Sequence, residues 1–536
     1  MRVRRTIVAF ALLLCGFWIP ASAAQESPAG EWVGGYELKG VYTPIRAQFG
    51  LENGGVKATL DLPMREETGV KLNQVRFQSP NVHCELPRRA GAIVFDGQLR
   101  GDTITGNIQQ GNERGTFHLV RTVTIEPKAF DQYVGDYQIE RNNYISITRT
   151  RYPSDGIAFT ESRSMRFGQL FPTSETTFFA GTARLVPYPV EINVSFIKNE
   201  AGQVTALKWQ PKGSTQRLAR KVKLYNQEEV KFSNGNAVLA GTLILPLTRK
   251  PHPAIVLIHG SDPNTRFTGE LPRLFASHGI AVLTYDKRGA GASTGELKQA
   301  TFDDLAGDAS AGVRFLQSRQ EINAKQVGLW AISQGGWIAP LVATRSPNVA
   351  FMILHAGPAV TPRIQARMEL ENTFPLYGNS PNEIPEATRY QSLYFDAMRN
   401  DDAAWQRLQA AYEQAKAHKA TWVWNPGTKE SLRQQWFRLI VDFDPVPVLE
   451  NVRCPVLAFF GERDVLVPAN GNVSIMEQAL KRAGNKDVTI KILPGANHRF
   501  EETTSRDPRD FPITRSYVPG YYDTMLAWLR RRVTVR

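Results

Sequence analysis

The 536-residue sequence has only three cysteines and no long apolar run beyond its N-terminal segment. It contains no Cys-x-x-Cys motif or Cys/His cluster, so it predicts no metal site. Once the N-terminal segment is set aside, Cys84 and Cys454 remain, and they fall in different predicted domains. We therefore expect two free thiols. Because a membrane-spanning helix needs about 20 apolar residues, we also expect no stable membrane insertion.

A dense basic tract is missing too, although the formal net charge is +13. Basic residues are scattered, and the one arginine run is Arg530–Arg532. This distribution favours a soluble basic surface, weakly attracted to anionic envelope polymers, over a nucleic-acid partner. The composition, 42% hydrophobic and 21% charged, is typical of a folded protein, and the length predicts two or three domains.

Residues 1–24 have the pattern of a cleaved secretory signal peptide. Arg2, Arg4 and Arg5 precede an apolar segment at 6–19, and small residues follow at 21–24. Cleavage would lower the net charge from +13 to +10, since three arginines and no acidic residue leave. The pattern predicts a periplasmic or secreted protein.

A lipoprotein signal is the alternative interpretation, because Cys15 lies in this segment. Leu14 before it is bulky where such signals have a small residue, so we favour the secretory interpretation.

Residues 25–124 and 125–225 predict two β-modules. Period-two alternation, as at 58–62, 102–108 and 191–197, dominates both segments. Each is long enough for a small antiparallel barrel or sandwich. They resemble the lipocalin-like modules attached to some exported bacterial hydrolases.

Residues 226–536 predict an α/β domain, because strand and helix patterns alternate there. Apolar strands are expected at 254–258, 280–285 and 327–332, and an amphipathic helix at 302–319. All catalytic candidates lie in this domain. A fragment that begins near Tyr225 is therefore predicted to keep the site.

A helix-rich insertion at about 361–447 interrupts the alternation. It holds Trp405, Trp422, Trp424 and Trp436, and its position predicts a cap over the carboxyl edge of the sheet. Ordinary helical packing accounts for most of these aromatic residues.

Ser333 is the candidate nucleophile. It follows a buried-looking strand and precedes Gln334-Gly-Gly336, a pattern that predicts a sharp strand–turn–helix with an exposed hydroxyl. Ala331 replaces the first glycine of Gly-x-Ser-x-Gly but is still small.

Asp464 and His498 complete a candidate triad. Asp464 follows strand 456–460, and His498 lies in a Gly-Ala-Asn-His turn after the last predicted strand. A carboxylate there would orient the imidazole, which would deprotonate the serine. Glu462 is the competing carboxylate and His355 the alternative base.

Backbone N–H groups of Ser261 and Gln334 are the predicted oxyanion donors, because His259-Gly-Ser261 ends an apolar strand. His259 is interpreted as structural. The glycine-rich loop 286–295 matches neither the P-loop nor the dinucleotide fingerprint, and we interpret it as a structural turn.

The order serine, aspartate, histidine is that of α/β-hydrolases. With Ile258-His-Gly-Ser261, Tyr285–Ser293, Gly461–Asp464 and Gly495–His498, residues 228–536 resemble the capped esterases and serine aminopeptidase-like members of that family. The resemblance implies hydrolysis of esters, thioesters or amides, or acyl transfer, without a cofactor. Serine at 333 argues against the dehalogenase and epoxide-hydrolase branches of the family, which have aspartate there.

We therefore expect an exported serine esterase acting on a small ester or acyl substrate, without a nucleic-acid partner. A peptidase, amidase or thioesterase with the same triad is the first alternative. An envelope-binding protein with a vestigial hydrolase fold is the second, and an intact triad argues against it. The oligomeric state and natural substrate stay open.

Overall fold

A computed structural model describes residues 27–52, 55–150, 155–266, 269–346, 348–399 and 401–535. The predicted signal peptide and Cys15 lie outside the described residues. Three sheets follow one another along the chain, and the two N-terminal ones are entirely antiparallel. The expected architecture, an all-β region followed by an α/β domain, is confirmed.

The first module is one nine-stranded sheet with the order β4-β3-β2-β1-β9-β8-β7-β6-β5. Alternate side chains point inwards and form an apolar core that includes Trp32, Tyr36 and Phe95. Its strands are β1 (Gly30–Leu38), β2 (Val41–Glu52), β3 (Gly55–Leu62), β4 (Glu67–Lys71), β5 (Asn73–Gln78), β6 (Asn81–Leu86), β7 (Ile93–Arg100), β8 (Thr103–Gln110) and β9 (Glu113–Thr122).

The second module is a closed eight-stranded barrel. Aromatic side chains such as Tyr137, Phe159 and Trp209 pack its interior, as expected for a barrel of this size. Its strands are β10 (Gly135–Glu140), β11 (Asn143–Thr150), β12 (Gly156–Glu161), β13 (Phe167–Pro172), β14 (Thr177–Ala180), β15 (Ile192–Lys198), β16 (Val204–Pro211) and β17 (Arg217–Val222).

The C-terminal sheet has eight strands in the order β18-β19-β21-β20-β22-β23-β24-β25. All neighbouring pairs from β21 to β25 are parallel, whereas β19 is antiparallel to both β18 and β21. The strands are β18 (Tyr225–Asn234), β19 (Ala237–Pro246), β20 (His252–Ile258), β21 (Ala281–Tyr285), β22 (Ile322–Ile332), β23 (Val349–His355), β24 (Val456–Gly461) and β25 (Val488–Leu493).

Helices flank this sheet and form the insertion between β23 and β24. The central strands are buried along their whole length, as their apolar sequences predict. The helices are α1 (Glu270–Ser277), α2 (Phe302–Gln317), α3 (Gly335–Arg345), α4 (Pro362–Thr373), α5 (Ile384–Ala397), α6 (Asp402–Ala417), α7 (Lys429–Arg433), α8 (Val446–Leu449), α9 (Ala469–Arg482) and α10 (Tyr521–Arg530).

Helices α4 to α7 pack around a core of their own. Trp422 is part of that core, with its ring beside Phe374 and Tyr390, so it acts in packing. Trp436 instead donates its indole N–H to the carbonyl of Ala300 at 2.6 Å, which attaches the insertion to the main domain.

Two further features bear on the sequence predictions. Cys84 and Cys454 are both free thiols, as expected, with Cys84 in the core of the first module. Among the described helices, none combines the length and apolar character that crossing a bilayer requires.

The barrel is joined to the C-terminal domain by a buried ion pair. The guanidinium of Arg273 on α1 donates to the carboxylate of Asp136 on β10 at 2.9 Å, and these side chains are 10% and 5% exposed. Backbone bonds add to the contact, from Phe167 N–H to Arg515 O and from Leu185 N–H to Pro512 O, both 2.9 Å.

Arg184 of the barrel reaches the chain just after His498. Its guanidinium pairs with Glu501 and stacks on the rings of Phe167 and Phe511 at 4.2 and 4.4 Å. A fragment beginning at Tyr225 would leave Glu501 and Arg273 without these partners. The barrel therefore completes the packing of the C-terminal domain, and a fragment that keeps every candidate catalytic residue would still lose these contacts.

We expect Arg273→Met to lower the free energy of unfolding by about 3–5 kcal/mol, because it leaves the Asp136 carboxylate buried without its cation. Urea denaturation followed by tryptophan fluorescence measures the change. Glu113→Gln is the control, since it removes an exposed ion pair with Lys39 and is expected to cost at most about 1 kcal/mol. Equal effects of the two substitutions would contradict a structural role for the buried pair.

Candidate active site

Ser333 lies at a sharp turn between β22 and α3. Its φ is +53°, in the left-handed region that non-glycine residues rarely adopt. The backbone is held there by hydrogen bonds: Ser333 N–H donates to His355 O at 2.9 Å, and Gly336 N–H donates to Ser333 O at 2.7 Å. This is the strained geometry expected of a nucleophile elbow.

Small residues allow the elbow to pack closely against its neighbours. A Cβ atom on Gly336 would lie 2.3 Å from Gly357 Cα, and one on Gly335 would lie 2.9 Å from His259 O and 3.2 Å from Ala331 Cβ. The fully buried Ala331 is therefore in a crowded position, which accounts for the small residue required there.

The loop after β20 lies against the elbow. A Cβ atom on Gly260 would be 3.4 Å from Ser333 Cβ. Within the described part of the chain, neither the Ser261 N–H nor the Gln334 N–H donates to a protein acceptor. Gln334 also precedes the first residue of α3, so its N–H has no partner within the helix. Both groups are thus available to a negatively charged oxygen.

Asp464 is almost fully buried, at 1% exposure, in the loop between β24 and α9. Its Oδ1 atom accepts hydrogen bonds from the N–H groups of Leu466 and Val467, both at 2.9 Å. Its Oδ2 atom lies 2.8 Å from His498 Nδ1. Glu462 is exposed and accepts from Gly495 N–H at 2.8 Å, so of these two carboxylates Asp464 is the one bonded to the histidine.

The environment of His498 favours its protonated form. Burial alone would lower the pKa of this imidazole, but the charge and hydrogen bond of Asp464 outweigh it and raise the pKa above 6.5. With Nδ1 bonded to the carboxylate, Nε2 is the ring nitrogen left to exchange a proton with a substrate or nucleophile.

His355 connects the elbow to the histidine loop. Its backbone carbonyl accepts from Ser333 N–H, and its Nε2 atom donates to His498 O at 3.1 Å. A carbonyl can only accept, so Nδ1 is unprotonated and accepts from Tyr521 O–H at 2.7 Å. Burial lowers the pKa of His355 to about 3, so the ring is uncharged. Both ring nitrogens are occupied, and this histidine supports the site without serving as a base.

The sequence did not reveal this role of His355 and Tyr521. His355 is the last residue of β23 and Tyr521 the first of α10, and the sequence around each of them contains no catalytic motif. A polar residue at the end of a buried strand was the one available signal.

The glycine-rich loop after β21 folds as a tight turn around a buried carboxylate. Asp286 accepts from Arg266 and from Ala292 N–H, and a Cβ atom on Gly291 would lie 2.6 Å from its carboxylate. In the described part of the chain, no three His, Cys, Asp or Glu side chains are grouped as metal ligands.

Comparison with known proteins shows which family the C-terminal domain resembles. Residues 249–502 match the family Hydrolase_4, described as serine aminopeptidase, S33. The polyketide transferase grgF of Penicillium sp is 25% identical over 282 residues, which cover 51% of this chain and 89% of that protein. Esterase EstD of Thermotoga maritima is 28% identical over 116 residues, 20% of this chain and 28% of the esterase.

Among solved structures, the Pyrococcus furiosus esterase Pf2001 is 17% identical, covering 58% of this chain and 92% of its own, with a TM-score of 0.38. The family match and the strand order of the C-terminal sheet both indicate an α/β-hydrolase fold. The segment 249–502 is therefore similar to serine hydrolases of the serine aminopeptidase S33 type, and its sheet has the α/β-hydrolase fold.

Proposed function

We propose that the protein is an exported serine hydrolase that cleaves carboxylic esters through an acyl-enzyme. The observation that supports this most directly is the buried 2.8 Å hydrogen bond between Asp464 and His498, in a domain that presents Ser333 at a strained elbow. Export rests on the signal pattern at 1–24, and the preference for esters rests on similarity to esterases.

In the proposed mechanism, His498 Nε2 removes the hydroxyl proton of Ser333, and Oγ attacks the ester carbonyl. The N–H groups of Ser261 and Gln334 stabilise the oxyanion of the tetrahedral intermediate. His498 then gives its proton to the leaving alcohol. Water, deprotonated by the same imidazole, hydrolyses the acyl-enzyme and restores the serine.

Acyl transfer to an acceptor other than water is the second candidate. It is favoured by the similarity to a polyketide transferase that extends over 89% of that protein. Both reactions share the acyl-enzyme and differ in the nucleophile that resolves it. Adding alcohols or amines to an ester assay and quantifying acylated acceptor against free acid separates them. Parallel assays with aminoacyl anilides and acyl thioesters test the amide and thioester alternatives.

A fluorophosphonate probe tests the nucleophile. We expect it to label Ser333 alone, because an activated hydroxyl attacks such phosphorus centres far faster than other serines do. Ser333→Ala should abolish both labelling and hydrolysis of p-nitrophenyl butyrate, with an unchanged circular dichroism spectrum. Labelling that persists in this variant would refute the assignment.

The two carboxylates of the acid loop provide a matched comparison. Asp464→Asn should lower kcat by about 10⁴-fold, the effect known for the corresponding aspartate of a serine protease, because the imidazole loses its orienting charge. Glu462→Gln should lower kcat far less, since Glu462 is exposed and bonds Gly495. Steady-state kinetics on a small activated ester distinguish them, and the opposite ranking would mean that Glu462 is the catalytic acid.

The raised pKa of His498 sets a pH dependence. Because the base must be neutral, we expect kcat/KM to rise with pH and to reach half its maximum above pH 6.5. The contribution of the Asp464–His498 pair to the free energy of unfolding changes with pH in the opposite direction. It is fully present below the pKa of the unfolded histidine and is lost as pH rises through the raised pKa of the folded protein. A pH–rate profile that is flat between about 5 and 9 would argue against His498 as the base.

A further inference from the structure

The ammonium group of Lys287 is buried beside the proposed oxyanion donors. The residue is 3% exposed and follows β21 in the glycine-rich loop. Its Nζ atom donates to Gly260 O at 2.8 Å, to Asp262 O at 3.2 Å and to Gln334 Oε1 at 2.8 Å. An ammonium has three N–H donors, so this arrangement uses all of them.

The charges on either side of Lys287 are paired elsewhere. Asp286 pairs with Arg266 at 2.9 Å, and Arg288 pairs with Asp308 at 2.6 Å. Lys287 itself is bonded to uncharged oxygens and takes part in no ion pair between described residues. Burying a cation without a bonded counter-ion costs folding free energy. A negative charge that forms nearby during a reaction would offset part of this cost.

One peptide group connects the lysine to an oxyanion donor. The carbonyl of Gly260 and the N–H of Ser261 belong to the same planar trans peptide, so they point in opposite directions. A hydrogen bond from Nζ to this carbonyl fixes the peptide plane and directs the N–H away from the lysine. It also withdraws electron density from the peptide, which strengthens the N–H as a donor.

The third bond of Lys287 reaches the other donor residue. Gln334 supplies the second proposed N–H, and its side-chain oxygen accepts from Nζ. A single ammonium therefore joins the loop after β20 to the start of α3. The relative placement of the two donors depends on this bridge.

We propose that Lys287 is a positioning residue for oxyanion stabilisation, which it achieves by orienting and polarising the Gly260–Ser261 peptide and tying it to Gln334. This inference rests on the proposed function, since it concerns the same reaction intermediate.

The test is the second-order rate of Ser333 phosphonylation by a fluorophosphonate, which places negative charge on oxygen as acylation does and requires no knowledge of the natural substrate. We expect Lys287→Met to slow labelling by about 10- to 100-fold, less than the 10²–10³-fold cost of losing a whole oxyanion donor. With an activated ester, kcat should fall by a similar factor while KM changes little, because the ground-state carbonyl gains little from the donors.

Two further variants separate positioning from general stability. Lys298→Met is the matched control on an exposed lysine of the same connection and should label at the wild-type rate. Lys287→Gln keeps a hydrogen-bond donor without the charge, and an intermediate rate is expected. It also provides the test if Lys287→Met does not fold.

The pH profile is a readout that a purely structural lysine would not change. Burial lowers the pKa of Lys287 to about 8, against the opposing charge of Asp262. Three neighbouring residues and one histidine do not change charge near pH 8. Burial lowers the pKa of His259 to about 3, Gln334 is uncharged, and Asp286 and Arg288 are ion-paired. Wild-type labelling should therefore decrease above pH 8, and Lys287→Gln should lack this decrease.

The possible results distinguish the two proposals. If the wild type is not labelled at all, the serine hydrolase function is wrong. Should the wild type be labelled, and a folded Lys287→Met or Lys287→Gln protein be labelled equally fast with the same pH profile, the positioning role is refuted and the function stands.

Discussion

Backbone hydrogen bonds between parallel strands bring the ends of β20, β22, β23, β24 and β25 to one edge of the C-terminal sheet. Each of these ends carries one part of the candidate site: the Ser261 loop, the Ser333 elbow, His355, the Asp464 loop and the His498 turn. Because parallel strands share a direction, their carboxyl ends lie at the same edge, and residues far apart in the chain are brought close together there. The chemistry proposed for this protein depends on that register.

Buried polar groups then fix the geometry that the sheet only approximates. Asp464, His355 and Lys287 are each buried, and each is hydrogen-bonded to two or more backbone or side-chain partners. An unsatisfied group at such a position costs about 1–3 kcal/mol, so every bond also penalises displacement of the loop that supplies it. The same bonds that hold the loops also select the tautomer of each imidazole.

The second β-module helps to hold the segment after His498 in place, although it lies outside the C-terminal domain. Arg184 bonds the buried Glu501 three residues beyond His498, and backbone bonds from the barrel hold the segment that follows. The barrel and the C-terminal domain are separate segments of the sequence, but they are packed against each other in the structure. The helical insertion also contacts the loop that carries Asp464, through a hydrogen bond from the Gln365 side chain on α4 to Leu466 O.

Sequence by itself determined the succession of an all-β region and an α/β domain, and it singled out Ser333, Asp464 and His498 as the candidate triad, because each depends on a local pattern of apolar strand followed by a polar turn. It missed β18, whose side chains are mostly exposed because it is an edge strand and carries little apolar signal. Only the tertiary structure decided the partners of Lys287, His355 and Arg184, which lie 47, 143 and 317 residues away. Such pairs form only when strand order and domain packing bring them together, and neither is encoded in the residues around them.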